Sequence, residues 1–144
     1  MKKRTGEPFM PADQFGRGLA AGIGINLLVP DVAAETGFCR AVLGASVQYE
    51  DPDFAVLEIG GSTMLVHADH AYGDHEFRSV FEGEGVRGRG IELRLYGVDP
   101  DLAEARARDA GAIVLSGSID KPHGLRECYI VDPQGYVWVP SRRI

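Results

Sequence analysis

Cysteine is scarce: Cys39 and Cys128 are the only two in 144 residues. Two thiols cannot staple a small disulfide-dependent fold. One falls at an apolar helix position and the other on a strand, so both read as reduced, buried side chains of a cytoplasmic protein. Cationic residues are outnumbered, 15 Lys and Arg against 21 Asp and Glu, for a net charge of −6. They are scattered and form no basic stripe, which excludes the usual footprint of nucleic-acid binding. The acidic balance mildly favours a cationic ligand. No apolar run approaches the roughly 18 residues of a membrane span. The basic start, MKKRTGEPFMPADQ, leads into no hydrophobic stretch with a cleavage site, so no secretory signal is expected. Apolar residues make up 44% of the chain, enough for the core of one compact domain or of two small modules sharing a sheet.

What is present is a repeat. In Gly90–Ala112, Ile91, Leu93 and Leu95 alternate with Glu92, Arg94 and Tyr96, the period of a strand with one covered face. Asp99-Pro100 then supplies an N-cap and a first-turn proline, and Gly111 ends a helix. Gly24–Ala45 repeats this plan: Ile25, Leu27 and Val29 alternate with Asn26 and Leu28, Asp31 caps, and Gly44 stops. After the first helix, strands are expected at Ser46–Glu50, Phe54–Ile59 and Thr63–Ala68, turned by Asp51-Pro52-Asp53 and Gly60-Gly61. After the second, they are expected at Ala112–Ser116, Arg126–Val131 and Tyr136–Pro140, with Gly117–Leu125 as a loop and Asp132-Pro133-Gln134-Gly135 as a tight turn.

The chain thus divides into an N-terminal extension over 1–21, a first module over 22–70, a linker over 71–88 and a second module over 89–144. Strand–helix–strand–strand–strand, twice, predicts an α+β fold: two βαβββ modules forming a curved mixed sheet, helices on the outer face. The extension has no period and is expected to be disordered or packed as an arm against a partner. The linker carries Tyr72, Phe77, Val80 and Phe81, and so reads as an excursion covering something. By strand parity the face away from the helices is lined by Asn26, Leu28, Phe54, Val56, Glu58, Glu92, Arg94 and Tyr96, with Leu65 and His67 or their neighbours. Apolar residues mixed with a few polar ones suit a ligand cleft; a second subunit packed on that face would also account for them.

The paired modules, Val29-Pro30-Asp31-Val32 before a helix ending Ala41-Val42-Leu43-Gly44, and the turn Asp132-Pro133-Gln134-Gly135-Tyr136 together resemble the vicinal oxygen chelate superfamily. That superfamily holds glyoxalase I, extradiol dioxygenases, fosfomycin resistance enzymes and bleomycin resistance proteins. The resemblance runs from about Gly22 to the C-terminus. Asp51-Pro52-Asp53-Phe54-Ala55 and Lys121-Pro122-His123-Gly124-Leu125-Arg126-Glu127 look most like the bleomycin-resistance branch, with His123 where a tryptophan is common. The resemblance implies a homodimer. It also implies a divalent metal held from cleft strands, at positions that fall on Gly24, on Leu65 or Met64, on Glu92 or Gly90, and on Val139. Gly, Leu and Val have no donor atom, so at most one of the four ligands survives, and a catalytic ion needs about three protein ligands. No metal and no cofactor are therefore expected.

Other chemistry is thinly supported. His67, Asp69, His70, Asp74, His75 and Glu76 read as a strand end and a solvated loop. Glu58 and Glu92 could face each other as an acid–base pair, but single polar roles, with Glu92 paired to Arg94 or Arg40, fit better. Trp138 has core parity, and His123 falls at the cleft rim. The expectation is a non-metal small-molecule binding protein. Phe54 and Tyr96 would stack a flat ligand, Glu58 and Glu92 favour a cationic group, Asn26 and Arg94 orient it, and His67 and His123 complete the lining. The alternative is a glyoxalase-like lyase or dioxygenase with displaced ligands around Glu92 and His67; a third reading makes the cleft a subunit interface.

Overall fold

The computed structural model describes residues 1–83 and 85–144. In chain order its elements are α1 (Ala12–Gly18), β1 (Asn26–Val29), α2 (Val32–Leu43), β2 (Ser46–Glu50), β3 (Phe54–Ile59), β4 (Ser62–Ala68), a 3-10 turn (Asp69–Tyr72), α3 (Arg78–Phe81), β5 (Glu92–Tyr96), α4 (Pro100–Asp109), β6 (Ile113–Asp120), β7 (Leu125–Val131) and β8 (Val137–Arg143). The repeated caps do their work locally. Asp31 accepts from the Ala34 amide at 3.1 Å, and Asp99 accepts from those of Asp101 and Leu102. Gly44 and Gly111 leave the helices at φ +72° and +71°, a region open to glycine at little cost.

The fold is α+β and built of two like modules. Sheet one has the order β1-β4-β3-β2 and sheet two the order β5-β8-β7-β6. In each, the opening strand runs parallel to the last and the rest is an antiparallel meander. The strands form two four-stranded sheets rather than one continuous sheet. Helix α2 packs on β2, β3 and β4, α4 packs on β6, β7 and β8, and the two helices touch. A single apolar cluster, including Leu57, Val66, Ile130 and the 1%-exposed Trp138, spans both modules. Cys39 and Cys128 are buried free thiols within it.

The edge strands β1 and β5 are not paired to each other, so other groups join the modules there. The Leu28 carbonyl accepts from Arg87 at 2.8 Å and from the Tyr136 hydroxyl at 3.1 Å. Arg87 also grips the Asp69 carboxylate with two nitrogens, both at 2.6 Å. Gly88 lets the linker lie on the β7–β8 turn: a Cβ there would stand 2.6 Å from the Tyr136 Cα.

Three expectations need correction. The N-terminal extension, expected to be disordered or to pack on a partner, contains α1 and folds back on its own first module. It shows no period because no α1 side chain is fully buried and Gly16 and Gly18 blur the helix. Strand β6 continues through the stretch read as a loop after Ser116, because register shifts at Val114/Ser116 and Ser116/Ile119 absorb Gly117. Strand β8 continues past Pro140, where the ladder to β7 is interrupted between Ile130–Trp138 and Glu127–Ser141. Among the described residues no helix is long and apolar enough to cross a membrane.

One buried polar group sits where the modules meet. Glu35 on α2 is fully buried, its Oε2 lacks a hydrogen-bond partner among the described residues, and the Cys39 thiol donates to Oε1 at 3.6 Å. Burial, then the neighbouring Asp132, pushes its pKa up to about 9. In the unfolded chain the same carboxyl ionises near 4.5. Between those values unfolding releases a proton, so Glu35 lowers stability progressively as pH rises. Thermal melts from about pH 5 to about pH 9 should show a falling midpoint that Glu35→Gln flattens. Parallel pH profiles for the two proteins would contradict this assignment.

Candidate functional site

The geometry follows from the register of sheet one. Asn26 lies beside Leu65, Leu28 beside His67, and on the other side Phe54 beside His67 and Val56 beside Leu65. Ala55, Leu57, Met64 and Val66 therefore face the helices and are buried in the core. Asn26, Phe54, Leu65 and His67 share the opposite face, which decides for Leu65 over Met64 as the position facing away from the core.

On that face three polar side chains form a chain. The His67 Nδ1 lies 2.7 Å from the Asn26 Oδ1, and the Asn26 Nδ2 donates to the Tyr72 hydroxyl at 2.9 Å. Burial lowers the His67 pKa, outweighing the charge of Asp51, so the imidazole is neutral at pH 7. The Phe54 ring lies 4.6 Å from the His67 ring, centroid to centroid, and Phe15 meets Phe54 edge-on at 6.1 Å. Tyr72 continues the aromatic row to Phe77 and Phe81 of the linker. Of these, Phe15, Phe54, His67 and Tyr72, together with Phe9, line an open hollow of about 600 Å³ between sheet one and the N-terminal segment, within the usual size of a small-molecule site.

The N-terminal segment roofs the hollow through a polar latch. The Asp53 carboxylate, 5% exposed, accepts from the Lys3 amide at 2.7 Å and the Arg4 amide at 3.1 Å. His70 Nε2 lies 2.7 Å from the same carboxylate, and the terminal amine donates to the His70 carbonyl. Burial opposes the Asp53 charge, but the hydrogen bonds from His70, Lys3 and Arg4 outweigh it and hold the pKa down at about 2. Beyond the latch, Phe9 packs on Tyr49 at 5.1 Å, and Phe9 and Phe15 meet edge-on.

The remaining expected site residues lie away from this hollow. Glu92, Arg94 and Tyr96 are on β5 of sheet two. Arg94 donates to Glu92 at 2.8 Å and to the buried Glu127, and its guanidinium lies over the Tyr96 ring. Burial raises and the Arg94 contact lowers the Glu127 pKa, with a net fall. His123 approaches Glu127 at 3.4 Å from an exposed turn. Glu58 is exposed near the end of β3 and does not line the hollow. Asn26, Phe54 and His67 are brought together; Glu58, Glu92, Arg94, Tyr96 and His123 do not join them. A second hollow of about 720 Å³ under the linker is lined by the expected cleft residues Asn26 and Leu28, with Ile25, Ile91, Phe77 and Phe81; its Arg87 and Tyr136 are engaged on Leu28 and Asp69.

No family model matches the chain, and no curated protein matches it. Solved structures do. A glyoxalase/bleomycin resistance protein/dioxygenase family enzyme from Burkholderia phytofirmans PsJN is 21% identical, with a TM-score of 0.69 over 83% of this chain and 96% of that one. A glyoxalase-related enzyme from Fulvimarina pelagi is 19% identical, with a TM-score of 0.68 over 87% and 89%. TioX from Micromonospora sp. ML1 is 22% identical, with a TM-score of 0.64 over 86% and 97%. The fold is that of the vicinal oxygen chelate superfamily.

The divalent metal implied by a vicinal oxygen chelate fold does not suit the residues present. Leu65 and the buried Val139 offer no donor, Gly24 has no side chain, and Glu92 is ion-paired to Arg94. Among the described residues no group of three or more His, Cys, Asp or Glu could hold an ion. The nearby histidines are engaged singly: His70 on Asp53, His67 on Asn26, and His75 accepting from the Phe77 amide.

Sequence reasoning missed Phe9, Phe15, Tyr72 and Asp53 as parts of this site. The signal for the arm was its pair of phenylalanines in an otherwise polar stretch. Its latch makes a direct prediction. Because the Asp53 pKa is depressed, its contribution is intact above the unfolded value of 3.8 and fades as pH falls toward about 2. Asp53→Asn should speed hydrogen exchange of the Lys3 and Arg4 amides by about tenfold or more at neutral pH. Unchanged exchange in the variant would show that the carboxylate does not hold the arm.

Proposed function

We propose that the protein binds a flat aromatic small molecule in the hollow of module one and uses no metal to do so. The observation that carries this reading is the aromatic lining: Phe9, Phe15, Phe54, Tyr72 and His67 converge on one space of about 600 Å³. Rings in such an arrangement bury a large apolar area and favour offset or edge-on contact with another ring. The apolar rings are accompanied by the polar groups of His67 and Tyr72, which suits orientation of a ligand within the site. The charged groups at the lining are Lys2, Arg4 and the latched Asp53, so the surroundings do not support the cationic preference first assigned to Glu58 and Glu92. Sequestration fits a donor set unsuited to a catalytic ion.

Sheet two supports a second copy as partner. Ile113, Leu115 and Ile119 on its edge strand β6 are each at least half exposed, and an apolar edge strand is open to pairing with another chain. We place a homodimer contact there.

Equilibrium dialysis against a panel of flat bicyclic aromatics should give saturable binding that Phe54→Ala weakens by about tenfold and Tyr96→Ala leaves within about twofold. No saturable binding, or an equal loss in both variants, would overturn the assignment to module one. Elemental analysis showing stoichiometric Zn, Ni, Fe or Mn would overturn its non-metal half. Light scattering after size exclusion should give twice the chain mass, reduced to the chain mass by Leu115→Asp; a monomeric wild type would remove the dimer.

A further inference from the structure

The polar chain Asn26–His67–Tyr72 has a property its members lack singly. The neutral His67 ring carries one N–H and one lone pair. With Asn26 Oδ1 facing Nδ1, that N–H is on Nδ1, and Nε2 presents a lone pair. The Tyr72 oxygen accepts from Asn26 Nδ2, so its own O–H is left to donate. Turning the Asn26 amide over reverses both bonds together: Nε2 becomes the donor and the Tyr72 oxygen the acceptor. In either state the chain can offer one donor and one acceptor together.

Both free atoms belong to rings that line the hollow, 5.6 Å apart between centroids. Neither His67 Nε2 nor the Tyr72 proton has another partner among the described residues. The Phe54 ring, packed on His67, puts an apolar surface beside them. A ligand stacked there meets a paired edge, and an edge left unmatched would cost the hydrogen bonds these groups make to water.

Building on the aromatic-binding reading, we infer that the hollow selects flat aromatic molecules carrying a hydrogen-bond donor beside an acceptor on one edge, the pattern of a ring lactam. The lactam N–H donates to His67 Nε2 while its carbonyl accepts from the Tyr72 hydroxyl. A ligand with the opposite order is accommodated by turning the Asn26 amide over. Aromatic hydrocarbons and ring esters of the same size leave one or both groups unmatched.

The test compares isoquinolin-1-one with isocoumarin, which has ring oxygen in place of N–H and keeps the carbonyl, by equilibrium dialysis with the 144-residue chain. The lactam should bind about tenfold more tightly, the value of one matched hydrogen bond in a shielded site. His67→Phe, which keeps a ring against Phe54, should bring the ratio to within about twofold, whereas Tyr72→Phe, which removes the donor to the carbonyl that both compounds carry, should weaken both by about tenfold and leave the ratio in place; thermal melts establish that both are folded. Equal binding of the two compounds to the wild type, a ratio unchanged in His67→Phe, or affinities unchanged in Tyr72→Phe overturns the edge selection while leaving the aromatic hollow intact. Absence of binding by either compound overturns both.

Discussion

Everything at the site depends on which residues of β1, β3 and β4 lie side by side. A one-residue slip of β4 would carry Leu65 and His67 into the core and bring Met64 and Val66 out of it. Burial resists this. Met64, Val66 and Ala68 on one strand and Ala55, Leu57 and Ile59 on its neighbour all face the helices, and each large apolar side chain adds on the order of 1.5–3 kcal/mol. The core thus fixes the outward set, and with it the meeting of Asn26, Phe54 and His67.

A sheet face alone is too open to hold a small molecule. The N-terminal segment supplies the missing wall, and it is secured by charge and hydrogen bonding more than by packing, since α1 buries no side chain completely. Its anchor, Asp53, belongs to the tight turn before β3, one residue from Phe54. The latch and the stacking ring therefore share a rigid piece of backbone, where Asp51 also accepts from the Asp53 and Phe54 amides at 2.7 and 2.8 Å. Placing the roof and the floor on one turn ties closure of the hollow to the position of its principal ring.

The repeat was legible because it is written in caps and periods: Asp31 and Asp99, Gly44 and Gly111, and the alternation of β1, β3 and β5. Trp138 in the core, its indole donating to Asp132 at 2.8 Å, follows from the same parity. The separation of the expected residues onto two sheets was not legible, since parity says which face a residue takes and nothing about which sheet lies opposite. Glu92, Arg94 and Tyr96 have the parity of cleft residues, yet they serve an ion-pair network with Glu127 on module two. The arm escaped because its contacts are made by backbone amides of Lys3 and Arg4, and amides are common to every sequence.

The most direct test of a binding hollow on module one is a crystal structure of the complex with whichever flat bicyclic aromatic raises the melting temperature most. We predict ring density against Phe54 and His67, beneath the segment that carries Phe9 and Phe15. Density over Arg94 and Tyr96 on sheet two, or a cation coordinated by the protein in the hollow, would contradict it.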